Sequence, residues 1–169
     1  ILKNINLQIA LGQQWAIVGE SGSGKTTLAQ VLTGRLFHSG SMHFGVPGHI
    51  GLIEQQHRFK NRSNTADFYY QQRYNSLNSE DTFTVAEALE NTDSVWIEKL
   101  HLRPLLNEPL IQLSNGENKR LQLAKALLRN PAVLVMDNPF VGLDTEGRQT
   151  LHKLIDEIVA DGIHVILIT

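Results

Sequence analysis

The feature that most constrains this chain is a glycine-rich segment that directly follows a short apolar run. The segment reads GESGSGKTT over residues 19–27, and the apolar run, residues 15–18, is predicted to be a strand. The spacing G-x-x-x-x-G-K-T lets the backbone curl so that successive N–H groups point at phosphate oxygens. A helix predicted from Lys25 to about Leu32 adds the partial positive charge of its N-terminus. The chain is therefore predicted to fold around a phosphate-binding loop.

Residues of this loop and of a later strand end are the predicted ligands of Mg-ATP. Lys25 is expected to reach the β- and γ-phosphates, and the Thr26 hydroxyl is expected to ligate Mg²⁺. Asp137 ends the apolar run 132–137, where an aspartate holds the Mg²⁺ shell in folds with this loop. The predicted nucleotide contacts are Gly19, Glu20, Ser21, Gly22, Ser23, Gly24, Lys25, Thr26 and Thr27.

Alternating apolar strands and helices predict an α/β fold with a mainly parallel sheet. Residues 4–11 alternate apolar and polar, which predicts an N-terminal antiparallel β part. The polar segment 56–79 has no clean period and is expected to form loops. A small helical insert is expected over residues 81–112, within a helical subdomain of about residues 81–129. Further strands are expected at 15–18, 49–53, 132–137 and 163–169, and further helices at 84–90, 94–100, 114–130 and 145–160.

Composition supports one ordinary globular domain over residues 1–169. The net charge of -2 argues against a general nucleic-acid or membrane-surface binder. The absence of cysteine excludes disulfides and thiolate metal sites. No apolar run is long enough to span a membrane, and no signal peptide opens the chain. Because the chain begins and ends inside predicted strands, we expect it to be a fragment of a longer cytoplasmic protein.

A second candidate phosphate contact lies at the start of the predicted helix after Leu113. Ser114 and Glu117 have the spacing of a capping box, which marks a helix N-terminus. Such an end carries unpaired N–H groups and a positive partial charge, so it can bind an anion. Considered without the rest of the sequence, the same pattern is also that of a plain helix start.

Together, and in this order, these motifs resemble the ATP-binding domain of ABC-type ATPases over nearly the whole chain. The glycine-rich loop resembles the family's Walker A motif. Gln55 resembles the glutamine of its Q-loop, with Gln56 as a second candidate. The remaining matches are LSNGE at 113–117 to the LSGGQ signature, AVLVMDNP at 132–139 to Walker B, and VGLD at 141–144 to the D-loop.

The resemblance implies that two such domains stack head to tail. Each ATP then lies between the Walker A motif of one domain and the signature of the other. Ser114 and Gly116 are expected to contact the γ-phosphate bound by the partner domain. Gln55 is expected to contact Mg²⁺, to sense the γ-phosphate and to connect to the helical insert, which meets a membrane permease in transporters. Asp144 is expected at the interface between the two domains.

The sequence departs from the family pattern at the catalytic position. The family places a glutamate directly after the Walker B aspartate, and this chain has Asn138 there. An amide is neutral and cannot act as a general base. The resemblance therefore implies an ATPase by family, whereas Asn138 predicts a site that binds Mg-ATP and hydrolyses it slowly. The adenine-stacking aromatic and the switch histidine of the family are expected outside residues 1–169.

Three functions remain open from the sequence. The first is the energising subunit of a transporter, peripheral at the inner face of the membrane. The second is a soluble tandem ABC protein with a role on nucleic acid, on ribosomes or in regulation instead of transport. Residues 67–74 resemble soluble tandem proteins related to molybdate-transport ATPases. The basic segment 57–62, with tyrosines nearby, offers that reading a nucleic-acid contact, although a solvated loop is the plainer interpretation. The third is a nucleotide-gated scaffold without turnover.

Overall fold

The centre of the fold is a sheet of four parallel strands. A computed structural model describes residues 2–10, 12–45, 48–55, 58–60, 67–69, 82–89 and 91–169. Within them, strands 1, 6, 5 and 2 lie side by side in that order, and strands 3 and 4 form a separate antiparallel pair. The strands are β1 (Trp15–Ile17), β2 (His49–Ile53), β3 (Arg58–Lys60), β4 (Asp67–Tyr69), β5 (Pro131–Asp137) and β6 (His164–Ile168).

Helices cover both faces of this sheet, as a parallel sheet requires. Alternate residues of β5 point to opposite faces, because successive side chains of a strand do so. Val133 and Val135 belong to the apolar cluster on the α1 face, whereas Leu134 and Met136 belong to the larger cluster. The helices are α1 (Lys25–Leu32), α2 (Val85–Ala88), α3 (Val95–Lys99), α4 (Asn115–Leu127) and α5 (Thr145–Ala160).

The larger cluster joins the short helices to the sheet. Val85 of α2 and Ile97 of α3 are completely buried in it together with Leu134 of β5. The predicted apolar face of α4 is present, because Leu121, Ala124 and Leu127 are all fully buried. Turns of 3₁₀ helix at Arg103–Leu105 and Leu110–Gln112 connect α3 to α4. The residues of the expected helical insert therefore share one core with the parallel sheet.

The predicted α/β class and parallel sheet are confirmed, and most element boundaries differ from prediction by one or two residues. Two expectations about strands are wrong. Residues 2–10 form no strand, because no strand of the described residues pairs with their backbone and Asn4 has a left-handed φ of 55°. The apolar residues among them are only partly buried, and Ile9 packs against the apolar cluster on the α1 face of the sheet. Segment 56–79, expected as loops, contains the pair β3 and β4, and the rest of it lies outside the described residues.

None of the helices in the described ranges combines the length and apolarity needed to cross a lipid bilayer.

Candidate phosphate-binding site

The predicted Mg-ATP residues of the loop, of β5 and after β2 lie at one edge of the sheet, because parallel strands present their carboxyl ends together. The phosphate-binding loop, residues 19–27, follows β1, and Asp137 is the last residue of β5. Gln55 follows β2, on the other side of β5. Backbone bonds align the strand ends, since the amide of Asn138 donates to the Ile168 carbonyl over 2.8 Å.

The phosphate-binding loop has the backbone geometry that its glycines allow. Gly24 adopts a φ of 92°, which strains any residue with a side chain. A Cβ on Gly19 would lie 3.1 Å from the Ser23 hydroxyl, so the curl is tight. The Lys25 ammonium donates to the carbonyls of Gly19 (2.6 Å) and Glu20 (2.8 Å), which holds it across the loop. An ammonium has three N–H groups, so a third donor remains.

Helix α1 starts directly from this loop. Its N-cap is Gly24, and no side chain of the described residues caps the helix. The first N–H groups of a helix have no intrahelical partner, and the helix dipole adds a positive partial charge there. The loop thus combines an ammonium with a helix N-terminus, which is an arrangement suited to a polyphosphate.

The Thr26 hydroxyl and the Asp137 carboxylate meet beside the loop. Thr26 Oγ1 donates to Asp137 Oδ2 over 2.7 Å, and Asp137 is only 3% exposed. Both groups carry oxygen ligands, which Mg²⁺ prefers, and Mg²⁺ completes its shell with phosphates and water. The described residues hold no group of three or more His, Cys, Asp or Glu suited to a metal. The oxygens of Thr26 and Asp137 fit a cation whose shell phosphate and water complete.

Gln55 and Asn138 are brought together with Asp137. Asn138 Nδ2 donates to Gln55 Oε1 and to Asp137 Oδ1, each over 3.1 Å. A carboxylate at position 138 has no N–H to donate, so the amide makes two bonds that a glutamate would not make. Asn138 has a φ of 44°, a left-handed conformation that asparagine tolerates better than most residues. Gln56, the second candidate, lies outside the described residues.

The signature segment, residues 113–117, starts helix α4 with the predicted capping box. The Glu117 amide donates to Ser114 Oγ (3.3 Å), and the Ser114 amide donates to Glu117 Oε2 (2.7 Å). Burial raises the pKa of Glu117, but the hydrogen bonds from Ser114 and the charge of Arg120 outweigh it and lower the pKa. Gly116 has open space around its Cβ position. The amides of Asn115 and Gly116, as first residues of the helix, have no intrahelical partner.

The D-loop, residues 141–144, lies against the signature segment. Asn115 Nδ2 donates to the Gly142 carbonyl over 3.2 Å. Asp144 caps α5 by accepting from the Gly147 amide over 2.8 Å. Ser114, Gly116 and Asp144 line a groove of about 250 Å³ between α4 and α5. Among the described residues that line this groove, none belongs to the phosphate-binding loop.

Lys119 is a buried residue near the site that the sequence reading did not single out. It is 6% exposed, and its ammonium donates to the Glu54 carbonyl (3.2 Å) and to Gln122 Oε1 (3.4 Å). Burial lowers its pKa from 10.5 to about 8, although the negative charge of Asp137 raises it in part. The sequence signal available was that Lys119 lies on the same face of α4 as Leu123 and Gln122, which are buried. Periodicity alone classes a lysine there as an exposed polar residue.

The strand, glycine-rich loop and helix, with an aspartate at the end of a nearby strand, define an ATP-binding domain of the P-loop class. A model of the family described as ABC transporter matches residues 2–141. The chain belongs to this family. The matched range includes the phosphate-binding loop, the segment 113–117 and Asp137.

Named relatives agree with the family assignment. The chain is 32% identical to the zinc import ATP-binding protein ZnuC of Psychrobacter cryohalolentis, over 94% of this chain and 62% of the relative. It is 31% identical to an uncharacterized ABC transporter ATP-binding protein of Schizosaccharomyces pombe, over 94% of this chain and 36% of the relative. The chain thus spans between about a third and two thirds of these relatives' lengths.

A solved structure shows the same fold. The chain superposes on cbiO1 of Clostridium perfringens, part of the ABC transporter complex cbiONQ, with a TM-score of 0.69 and 26% identity. The match covers 99% of this chain and 71% of that one. The whole core and the helical segments therefore follow the architecture of an ABC ATP-binding domain.

The lowered pKa of buried Lys119 predicts that the free energy of unfolding changes with pH in the alkaline range. Between pH 8 and pH 10.5 the unfolded chain binds more protons at Lys119 than the folded chain does. We expect the free energy of unfolding of the wild type, relative to Lys119→Met, to rise across that window. Urea denaturation at several pH values measures this difference. Lys153→Met removes an exposed lysine of α5 and serves as the control. If the difference between the wild type and Lys119→Met does not change with pH, the lowered pKa of Lys119 is contradicted.

Proposed function

We propose that this domain binds Mg-ATP and pairs head to tail with a second ABC domain, thereby coupling ATP binding to transport by a membrane permease. The observation that carries the proposal is the 2.7 Å hydrogen bond between Thr26 and Asp137. It joins a loop suited to phosphates and a buried carboxylate into one set of oxygen ligands.

Each loop residue has a distinct task in this proposal. The Lys25 ammonium neutralises β- and γ-phosphate charge, and the backbone amides of residues 19–27 and α1 bind the phosphate oxygens. The Thr26 hydroxyl, the Asp137 carboxylate and Gln55 Oε1 hold Mg²⁺ directly or through water. When bound, the cation screens the phosphate charge and favours one geometry of the triphosphate. Gln55 is also proposed to sense the γ-phosphate, and its bond from Asn138 (3.1 Å) connects it to Asp137 in the same site.

A second domain completes the site on the other side of the nucleotide. The signature segment offers an α4 N-terminus with the free amides of Asn115 and Gly116, and the groove beside it holds Asp144. The groove has no lining residue from the described phosphate-binding loop, so the two phosphate-binding elements do not share it. This arrangement supports a partner's ATP as the ligand of Ser114 and Gly116, with Asp144 at the interface.

Hydrolysis at this site is proposed to be slow. Asn138 occupies the position next to Asp137 from which a glutamate would polarise the attacking water. Its amide N–H groups already donate to Gln55 and Asp137. A neutral amide takes up no proton from water, so general-base catalysis is lost at this position.

The segment 81–129 is proposed to be the helical subdomain that meets a permease at the cytoplasmic face of the membrane. Relatives named for zinc import and for an ABC transporter complex support this reading. In this proposal the permease determines which compound is transported.

A soluble tandem protein without a transport role is the second candidate. It is favoured by Asn138, because asymmetric pairs combine one holding site with one that turns over. Its nucleic-acid contact would use segment 57–62, which lies largely outside the described residues.

Lys25→Ala tests nucleotide binding. Losing a charge-assisted contact of about 1.5–3 kcal/mol is expected to weaken ATP binding about ten- to a hundred-fold. Equilibrium dialysis with labelled ATP and Mg²⁺ measures the dissociation constant. Lys153→Ala, on the exposed face of α5, is expected to bind ATP like the wild type. Equal affinities for all three proteins would refute the assignment of Lys25.

Gly116→Glu tests the pairing of domains. The position has open space for a side chain, and a carboxylate in the first turn of α4 favours the helix itself. The same charge repels a partner's γ-phosphate, so ATP-dependent dimerisation is expected to weaken at least about ten-fold. ATP affinity of the isolated domain is expected to be unchanged.

Sedimentation velocity with and without Mg-ATP measures this pairing. Gly116→Ala, which adds one methyl group without charge, is the matched control and is expected to pair nearly normally. Undiminished pairing of Gly116→Glu would show that the signature segment does not face a partner's nucleotide.

Asn138→Glu tests the missing base. A carboxylate at this position is expected to accelerate ATP hydrolysis by about 10²–10⁴-fold. Asn138→Gln is the control, because it has the length of glutamate without its charge and meets the same left-handed backbone. Steady-state phosphate release at saturating Mg-ATP compares the three proteins. A fast native rate that arises at this site and is unchanged by Asn138→Glu would disprove the proposal.

A further inference from the structure

Lys119 belongs to the signature helix α4 and reaches the chain just after β2, next to Gln55. It is one helical turn into α4, and 6% of its surface is exposed. Taking an ammonium out of water is unfavourable unless bonds compensate, so a lysine in this position needs a partner. Its partners are the Glu54 carbonyl on the strand side and Gln122 Oε1 on its own helix.

The bond to Glu54 acts on Gln55 through a rigid unit. The carbonyl of Glu54 belongs to the same planar peptide group as the amide nitrogen of Gln55. A side chain that holds this carbonyl therefore fixes the plane from which Gln55 extends. With a pKa near 8, lowered by burial, Lys119 is still mainly protonated at neutral pH and so keeps its full set of N–H donors.

From Gln55 a continuous set of hydrogen bonds leads to the phosphate-binding loop. Asn138 donates to Gln55 and to Asp137, and Asp137 accepts from Thr26. Each link is 3.1 Å or shorter. A shift of Gln55 caused by a ligand at Thr26 and Asp137 would therefore move the peptide group that Lys119 holds.

The other end of the connection is the signature segment. The Asn118 amide donates to the Ser114 carbonyl over 2.9 Å, so Lys119 and the capping box belong to one rigid turn of α4. The charge of Asp137 attracts the Lys119 ammonium as well, which adds an electrostatic link to the hydrogen bonds.

We propose that Lys119 is a positioning residue that transmits nucleotide occupancy of the phosphate-binding loop, through the Glu54–Gln55 peptide group, to the signature helix α4 of the same chain. The proposal rests on the proposed function, because it requires Mg-ATP at Thr26 and Asp137. A lysine with a merely structural role would contribute to stability and leave this communication intact.

Hydrogen exchange measured by mass spectrometry tests the proposal on the complete protein that carries this chain. The probe is a non-hydrolysable ATP analogue with Mg²⁺, at a protein concentration where sedimentation shows monomers. In the wild type, the ligand is expected to slow exchange in residues 19–27 and in α4 beyond its first turn. We expect about ten-fold protection in α4, within the usual range of coupling between sites.

Lys119→Met is expected to keep protection of residues 19–27 and to reduce that of α4 to less than about two-fold. Lys119→Arg retains a cation and N–H donors and is expected to restore α4 protection. Lys153→Met, the exposed-lysine control, is expected to behave as the wild type. Should Lys119→Met fail to fold, Lys119→Gln, with a shorter and neutral donor, takes its place in the comparison with Lys119→Arg.

Different outcomes separate a failure of Mg-ATP binding from a failure of the role of Lys119. Missing protection of residues 19–27 in the wild type would refute Mg-ATP binding at the loop, and the proposed function with it. Protection of the loop together with equal α4 protection in the wild type and Lys119→Met would refute the role of Lys119 alone. Loop protection without any α4 response in the wild type would also overturn it.

Discussion

The hydrogen bond between Thr26 and Asp137 depends on the parallel order of the central sheet. Thr26 stands at the start of α1, and Asp137 ends β5, so the two residues are far apart in the chain. They meet only because β1 and β5 point the same way with β6 between them, which brings their carboxyl ends to one edge. The apolar side chains on both faces of β5 hold that strand between two layers of helices. Packing of the core thereby determines the geometry of the polar site.

Asn138 changes the character of this edge more than a loss of negative charge suggests. Glutamate accepts hydrogen bonds, whereas the asparagine amide donates them to two neighbouring oxygens, on Gln55 and Asp137. The side chain therefore connects Gln55 to Asp137 within the chain itself. Bonds within the chain thereby hold these polar groups in one defined geometry.

Sequence patterns predicted the parts of the fold that local chemistry determines. The phosphate-binding loop, α1 and the capping box at Ser114 follow from glycine spacing and helix-end preferences, which act over a few residues. The N-terminal strand was wrong because alternation over residues 4–11 reports partial burial, whereas a strand also needs a neighbour to pair with. The pair β3 and β4 was missed since polar segments lack an apolar period. Bonds across the fold, such as Lys119 to Glu54, have no local signal at all.

Two departures from the family's signature, Asn115 and Glu117, take part in bonds of this chain and are not simply tolerated. Glu117 completes the capping box and remains ionised at the positive end of α4. Asn115 has a side chain where the family pattern has glycine, and this side chain donates to the Gly142 carbonyl of the D-loop. The signature segment and the D-loop are thus joined within one chain. Both segments also line the groove beside α4, so this bond connects two parts of its wall.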